Sequence, residues 1–159
     1  MAGDRSAEFP GWRTGMIRGE VHDGNAHYGL GGVAAHAGLY GTAADLHRYG
    51  RMWLNRGLRE GQRFVSEALV TEATRPQAPG RGLGWRVRPD EPEAVADDPA
   101  RSLSPAAFGH TGFTGTSLWL DPARDLTVVL LTNRVHPRSR DEIATIRPAF
   151  HDAVAGGGL

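Results

Sequence analysis

The chain has 159 residues, of which 40% are hydrophobic and 23% charged, and its formal net charge is zero. This length suits one domain with a substantial core, and the balanced charge offers no basic excess for nucleic acid. All 18 lysine or arginine residues are arginine, so this chain cannot form a lysine Schiff base. Cysteine is absent, which excludes a thiolate nucleophile and cysteine-ligated zinc within this chain.

The N-terminus and the apolar runs bear on targeting. Residues 1–5 lack the apolar core of a signal peptide, and no apolar run approaches the roughly 18 residues of a spanning helix. We therefore predict no signal peptide and no membrane segment in this chain. The compartment stays open, with the cytoplasm as the default.

Residues 20–41 form a loop rich in glycine and histidine. A stretch of this length without helix or strand periodicity is uncommon in a compact domain unless it has a function. His22, Asp23, His27 and His36 could offer nitrogen and oxygen ligands, but they lack the spacing of known zinc motifs. We predict an ordered loop and no metal site, and keep a metal-assisted hydrolase as one alternative.

Two helices are expected next, the first over 42–57. Thr42 is a good N-cap and Asp45 follows three residues later, which is the pattern of a capping box. Apolar residues then recur at helical spacing. A second, shorter helix is predicted over 67–74, with Ser66 as its cap.

The remainder of the chain predicts strands and a final helix. Three segments have the composition and spacing of strands: 82–87, 117–120 and 126–132. The last two are joined by a turn too short for a crossover, so we expect an antiparallel hairpin. Residues 89–106 are rich in proline and acidic side chains and predict a surface loop. A helix is predicted over 140–155, and Pro148 is expected to kink or split it.

Residues 108–117, Phe-Gly-His-Thr-Gly-Phe-Thr-Gly-Thr-Ser, come just before that hairpin, so that the strand and hairpin region spans 108–133. Glycine lets the backbone pass close to another group, and threonine and histidine add short polar groups. We interpret the stretch as the wall of a binding cleft, with a glycine-rich turn as the structural alternative. It has neither the dinucleotide-binding glycine spacing nor a Walker lysine.

The serines offer no obvious nucleophile. None of the six lies in Gly-x-Ser-x-Gly, and none has a lysine three residues on. Ser66 and Ser139 fit helix caps, and Ser102 and Ser104 belong to the proline-rich loop. Ser117 is expected to face a sheet. Covalent catalysis therefore has no candidate nucleophile in these residues.

Three ordered stretches resemble the serine β-lactamase-related family, which includes class C β-lactamases, penicillin-binding proteins of the D-alanyl-D-alanine carboxypeptidase type and related esterases. They are Gly19–Ala26 with Gly31–Tyr40 ahead of Thr42–Leu46, Gly82–Trp85, and Gly109–Gly115 with a hairpin ending at Arg134. In that family a Lys/His-Thr-Gly triplet lies on a strand at the edge of the active site. The resemblance spans about residues 12–155.

The resemblance implies an α+β fold, the C-terminal part of a β-lactamase/transpeptidase-like fold with antiparallel strands and flanking helices. Residues 1–159 would form a single partial domain. His110, Thr111 and Gly112 would bind the substrate, and the backbone N–H of Phe113 would supply half of an oxyanion hole. His36 and its glycine neighbours would form another wall. The implied substrate is a small ester, amide, β-lactam or peptide, attacked by an acyl-serine mechanism without a cofactor.

The sequence departs from the family pattern in two motifs. The family's Ser-x-x-Lys and Tyr-x-Asn motifs lie upstream of the matched region, and this sequence has neither. We therefore expect the C-terminal half of a longer hydrolase that is inactive alone, with the missing N-terminal half as its partner. A non-catalytic binding or complementing module with the same half-fold is the alternative. An apolar sheet edge or face should be exposed where the other half would pack.

Overall fold

The computed structural model describes residues 11–88, 101–136 and 141–156. The predictions for the N-terminus, for most of the proline-rich loop and for the start of the last helix concern residues outside these ranges. The contacts divide the chain into two units. The first contains the described residues 11–41 and 134–136, and the second contains 42–88, 101–133 and 141–156.

The first unit contains the glycine- and histidine-rich loop. Its residues 25–29 form a single turn of π-helix (Asn25–Gly29) that the sequence pattern did not predict. The carboxylate of Asp23 accepts a hydrogen bond from the backbone N–H of Ala26 at 2.8 Å and so stabilises the start of this turn. Gly38 has a φ of +103°, and a Cβ there would lie 3.2 Å from a methyl group of Val21. Local contacts thus stabilise the conformation of this loop.

The described residues of the second unit form three α-helices and six strands. The helices are α1 (Ala43–Leu54), α2 (Glu67–Thr74) and α3 (Ile143–Ala155). The strands are β1 (Leu58–Arg59), β2 (Gln62–Arg63), β3 (Arg86–Val87), β4 (Phe108–Thr111), β5 (Ser117–Asp121) and β6 (Leu126–Leu130). No helix among the described residues is long and apolar enough to cross a membrane.

A four-stranded antiparallel sheet in the order β3-β4-β5-β6 is the centre of this unit. The predicted hairpin is confirmed, because Ser117 pairs with Leu130 and Asp121 pairs with Leu126. The strand expected over 82–87 is shorter than predicted. Gly84 has a φ of +74°, which interrupts the extended backbone before β3 begins.

The first two helices begin at their predicted caps. The Thr42 side chain accepts a hydrogen bond from the N–H of Asp45, whose carboxylate accepts one from the Thr42 backbone. α1 packs on β5 and β6. Gly50 permits this close approach, since a Cβ there would lie 2.7 Å from a methyl group of Leu120. Ser66 caps α2 through a hydrogen bond from the N–H of Leu69.

A small hairpin between α1 and α2 was not predicted. β1 and β2 pair around Glu60 and Gly61, which both have positive φ, 51° and 80°. Two central residues with positive φ define the type I′ turn that favours hairpins. Gly61 was the sequence signal for this turn, but the flanking strands are too short to show an alternating pattern.

The side chains of β5 alternate between two covered faces of the sheet. Leu118 and Leu120 lie on the face of α1 and α2, in a cluster with Trp53, Ala73, Trp85, Val87 and Phe108. Trp119 lies on the opposite face and packs against Leu103, Ala107, Leu126 and Ala155. The pairing register opposes His110 to Leu118 and Thr111 to Ser117. Paired residues share a face, so His110 lies on the α1 face and Thr111 on the α3 face.

Helix α3 runs through Pro148 without a break, so the expected split does not occur. Proline has no N–H to donate to the carbonyl four positions earlier, and its ring crowds that carbonyl; here that residue is Ala144, in the first turn of the helix. Arg147 and His151 lie one turn apart and are both buried, at 3% and 0% exposure. α3 therefore presents two polar side chains to the interior.

Candidate active-site strand and turn

The turn that joins β4 to β5, residues 112–116, is closed by its own backbone. The N–H of Gly112 donates to the carbonyl of Thr116 at 2.7 Å, and the N–H of Gly115 donates to the carbonyl of Gly112 at 3.1 Å. Gly115 has a φ of +107°, and a Cβ on Gly112 would lie 2.2 Å from the Thr116 hydroxyl. Both positions therefore require glycine for the turn itself.

Gly109 has a packing reason as well. A Cβ at this position would lie 2.3 Å from the carbonyl oxygen of Leu118 and 2.5 Å from the indole ring of Trp119. The Trp119 ring thus occupies the space beside the strand, next to the triplet. Gly109 is explained by this packing, without a ligand.

His110 is exposed at the end of β4 and makes one described hydrogen bond. Its Nδ1 lies 2.8 Å from the carbonyl oxygen of Thr111. A carbonyl only accepts, so Nδ1 is assigned the proton, and in the neutral ring Nε2 then carries the lone pair. Next to it, Thr111 is half-buried on the other face of the sheet, and the Phe113 side chain is 67% exposed. The strand end thus carries an exposed imidazole at position 110 and a hydroxyl at position 111 on the opposite face, and the Phe113 backbone follows two residues later in the turn.

Behind the turn lies a buried polar cluster supplied mainly by α3. Arg147 donates from Nη2 to the carbonyl of Gly112 at 3.1 Å. One turn later on α3, His151 Nε2 lies 2.9 Å from the hydroxyl of Ser117. From the end of β6, the Thr132 hydroxyl donates to the carbonyl of Gly115 at 2.7 Å. These contacts hold the turn at its start, at its tip and at its exit into β5.

Burial lowers the pKa of His151 to about 4, with a further contribution from the positive charge of Arg147. The imidazole is therefore neutral near pH 7. Among the described residues, His151 Nδ1 has no hydrogen-bond partner. If the proton is on Nε2, the unpaired Nδ1 is an acceptor; if it is on Nδ1, a buried N–H is left without an acceptor. We therefore place the proton on Nε2, which donates to the Ser117 hydroxyl.

Ser117 and His151 resemble a nucleophile–base pair in distance alone. Ser117 is 3% exposed and His151 is fully buried, so a substrate has no access to either group. The prediction that Ser117 faces a sheet did not foresee this partner. The signal in the sequence was that Arg147 and His151 lie four residues apart on the apolar side of α3. Their neighbouring residues, however, do not indicate a contact with residues 112–117.

His36, the other predicted wall residue, lies in the first unit and pairs with Asp23. Its Nε2 is 3.1 Å from the Asp23 carboxylate. The N–H of Ala26 is the largest cause that lowers the pKa of Asp23, and His36 adds to it. The role of His36 as a wall stays a prediction.

The histidines of the first unit do not gather into a ligand set. His27 Nδ1 is 3.9 Å from the Glu20 carboxylate, and burial lowers the pKa of His22. Within residues 11–88, 101–136 and 141–156, no group of three or more His, Cys, Asp or Glu side chains could hold a metal ion. The metal-assisted alternative thus lacks a site in this part of the chain.

Comparison with known proteins places the chain in a family. Residues 2–151 match the family model described as Beta-lactamase, and the chain belongs to this family. Similar curated proteins are the putative D-alanyl-D-alanine carboxypeptidases of Salmonella gallinarum (strain 287/91) and Salmonella paratyphi B. Each is 36% identical over 135 residues, which cover 84% of this chain and 31% of the relative. The chain thus spans about a third of the length of the curated relatives it matches.

The fold is similar to that of a solved β-lactamase from Mycobacterium bovis. The TM-score is 0.58 at 27% sequence identity, and the match covers 76% of this chain and 46% of that one. The predicted family and the predicted α+β fold, as the C-terminal part of a β-lactamase-like fold, are both confirmed.

Proposed function

We propose that this chain supplies one wall of a β-lactamase-like serine hydrolase site. His110, Thr111 and Gly112 bind the substrate, and the backbone N–H of Phe113 is one oxyanion donor. The observation that supports this proposal most is the consecutive presentation of an exposed imidazole and a threonine hydroxyl on β4, followed by a turn held on three sides.

The reaction we propose is acyl transfer from a small ester, amide, β-lactam or peptide. A serine attacks the carbonyl carbon, and negative charge develops on the carbonyl oxygen. A fixed N–H aimed at that oxygen lowers the barrier by about 3–4 kcal/mol. The His110 ring and the Thr111 hydroxyl form hydrogen bonds with polar groups near the scissile bond. His36, which pairs with Asp23 within the first unit, is kept as a predicted wall residue.

We propose that this chain carries out only part of the reaction. It contains no lysine, so the Ser-x-x-Lys pair cannot come from these residues, and no tyrosine is followed by asparagine two positions on. We propose that the nucleophile and its base come from outside this sequence and that the chain alone turns over no substrate. The same absence also favours the second candidate, a non-catalytic binding or complementing module.

Turnover assays test the missing nucleophile. The chain should hydrolyse neither nitrocefin nor p-nitrophenyl acetate, and mass spectrometry should find no acyl adduct after incubation with benzylpenicillin. Turnover with an acyl adduct would contradict the proposed division of the site. Turnover lost on chelation would instead restore the metal-assisted alternative.

Binding tests the wall. Benzylpenicillin carries an acyl carbonyl and a carboxylate and should bind the chain weakly in a calorimetric or NMR titration. His110→Ala should weaken this binding, while His47→Ala is the matched control, because His47 is an exposed histidine on α1. Equal affinity for the His110→Ala and His47→Ala variants would contradict the proposed role of His110.

A further inference from the structure

The Gly112–Phe113 peptide group connects the buried cluster to the candidate oxyanion donor. A peptide group is planar and normally trans, so its C=O and N–H point in opposite directions. The C=O of Gly112 and the N–H of Phe113 belong to the same group. Whatever fixes the direction of the Gly112 carbonyl therefore also fixes the direction of the Phe113 N–H.

Two donors fix that carbonyl. The N–H of Gly115 lies 3.1 Å from the oxygen within the turn, and Arg147 Nη2 lies 3.1 Å from it on the α3 side. A glycine-rich turn is conformationally permissive, and φ/ψ changes at Gly112 would rotate this peptide group. The guanidinium opposes that rotation from a helix that is itself packed against the sheet.

Arg147 is well placed for such a role. It is 3% exposed, and Pro148 follows it inside α3. Four residues later His151 contacts Ser117 at the other end of the turn, so the same helix face holds both ends. A hydrogen bond from a charged donor is stronger than one from a neutral donor. It also polarises the peptide group and makes the opposite N–H a better donor.

We propose that Arg147 is a positioning residue for the candidate site. Its guanidinium orients and polarises the Gly112–Phe113 peptide group and so aims the Phe113 N–H at the developing oxyanion. The catalytic meaning of this role rests on the proposed function above, but the orientation itself is a property of the chain without substrate.

NMR on the isotope-labelled chain without ligand tests the orientation. In Arg147→Met, which keeps the apolar stem, the carbonyl ¹³C of Gly112 should move upfield and the Phe113 amide should shift. Exchange of the Gly115 amide should accelerate roughly tenfold or more, while the β5 amides of Trp119 and Leu120 change less than about twofold. Arg147→Lys, which keeps a charged donor, should restore part of each change.

Arg124→Met is the matched control. Arg124 also ties α3 to a loop, because its Nη1 donates to the carbonyls of Ser102 at 3.0 Å and Ala155 at 3.3 Å. This variant should leave Gly112 and Phe113 unchanged. If Arg147→Met gives only the changes that Arg124→Met gives, or accelerates exchange equally throughout β5, Arg147 is merely structural and the proposal is overturned.

A measurement on the unmutated chain covers the case in which Arg147→Met does not fold. The Arg147 guanidinium protons and the Gly115 amide proton converge on one oxygen, so a nuclear Overhauser contact between them is expected, and its absence overturns the proposal. A subsequent titration with benzylpenicillin separates the two claims. Local shifts in Arg147→Met without any binding of benzylpenicillin to the unmutated chain would retain the positioning role and reject the proposed function.

Discussion

The buried His151 should make the chain sensitive to mild acid. Its pKa in the folded chain is about 4, against an ordinary value of 6.5. As the pH falls below 6.5, the unfolded chain takes up a proton that the folded chain refuses until about pH 4. The stability contribution is therefore complete above pH 6.5 and is lost as the pH falls towards 4.

The magnitude follows from the two pKa values. Each pKa unit corresponds to about 1.4 kcal/mol, so the fall from 6.5 to about 4 corresponds to at most about 3 kcal/mol. This is a large share of the roughly 5–15 kcal/mol by which domains are stable. The lowered pKa values of Asp45 and Asp121 add a further loss of stability as the pH falls through their ordinary value of 3.8.

Urea unfolding monitored by tryptophan fluorescence, at several values between about pH 7 and pH 4, measures this effect. His151→Gln removes the titrating group and keeps an N–H donor near the position of Nε2. The free energy of unfolding should fall less with acid in His151→Gln than in the unmutated chain. His22, whose pKa is also lowered, is present in both chains and cancels in the comparison. Parallel pH profiles for the two chains would refute the reasoning.

Three further substitutions test the fold around the site by the same urea assay. Gly109→Ala places a methyl group against the Leu118 carbonyl and should cost about 1–3 kcal/mol, while Gly41→Ala, with nothing within 4 Å, should cost little. Asp121→Ala removes the acceptor of the Ser104 and Ala123 N–H groups, which donate to the carboxylate at 2.8 and 3.1 Å, and should lower the free energy of unfolding by about 3 kcal/mol. An equal loss of stability in the exposed Asp125→Ala would contradict this. Thr42→Ala removes the α1 cap and should cost about 1 kcal/mol, and an unchanged midpoint would count against the cap.

The features that the sequence predicted well are those that neighbouring residues determine. The capping box of Thr42 and Asp45 needs only residues three apart, and it forms as expected. Gly57, the last residue of the predicted first helix, has a φ of +84°, a left-handed conformation that glycine adopts without strain. The hairpin of β5 and β6 likewise depends on a short turn between two strand-forming runs.

The features that the sequence missed depend on residues far apart in the chain. Arg147 meets Gly112 across 35 positions, and His151 meets Ser117 across 34. The sequence around Arg147 and His151 predicts only a helix, and the packing of α3 on the sheet is what brings the two side chains to the turn. The loop at Ser104 shows the same limit, because its anchoring to Asp121 involves residues 17 apart. The His110–Gly112 triplet was recognisable in the sequence, whereas the contacts of Arg147 and His151 with the adjacent turn were not.

Gly109 shows a different limit of reading sequence. Its position beside His110 favoured a close approach to a ligand, but the Trp119 ring occupies that space. A glycine required by packing and a glycine required by a substrate look the same in sequence. Only the position of the neighbouring side chain distinguishes them.

The most direct test of the central claim is the amide spectrum of the chain during titration with benzylpenicillin. The account predicts that the largest shifts fall on residues 110–113, with Phe113 among them, and that His110→Ala reduces them. Shifts centred elsewhere, or none at concentrations that saturate binding, would contradict the claim that this strand end and turn are a wall of an acyl-transfer site.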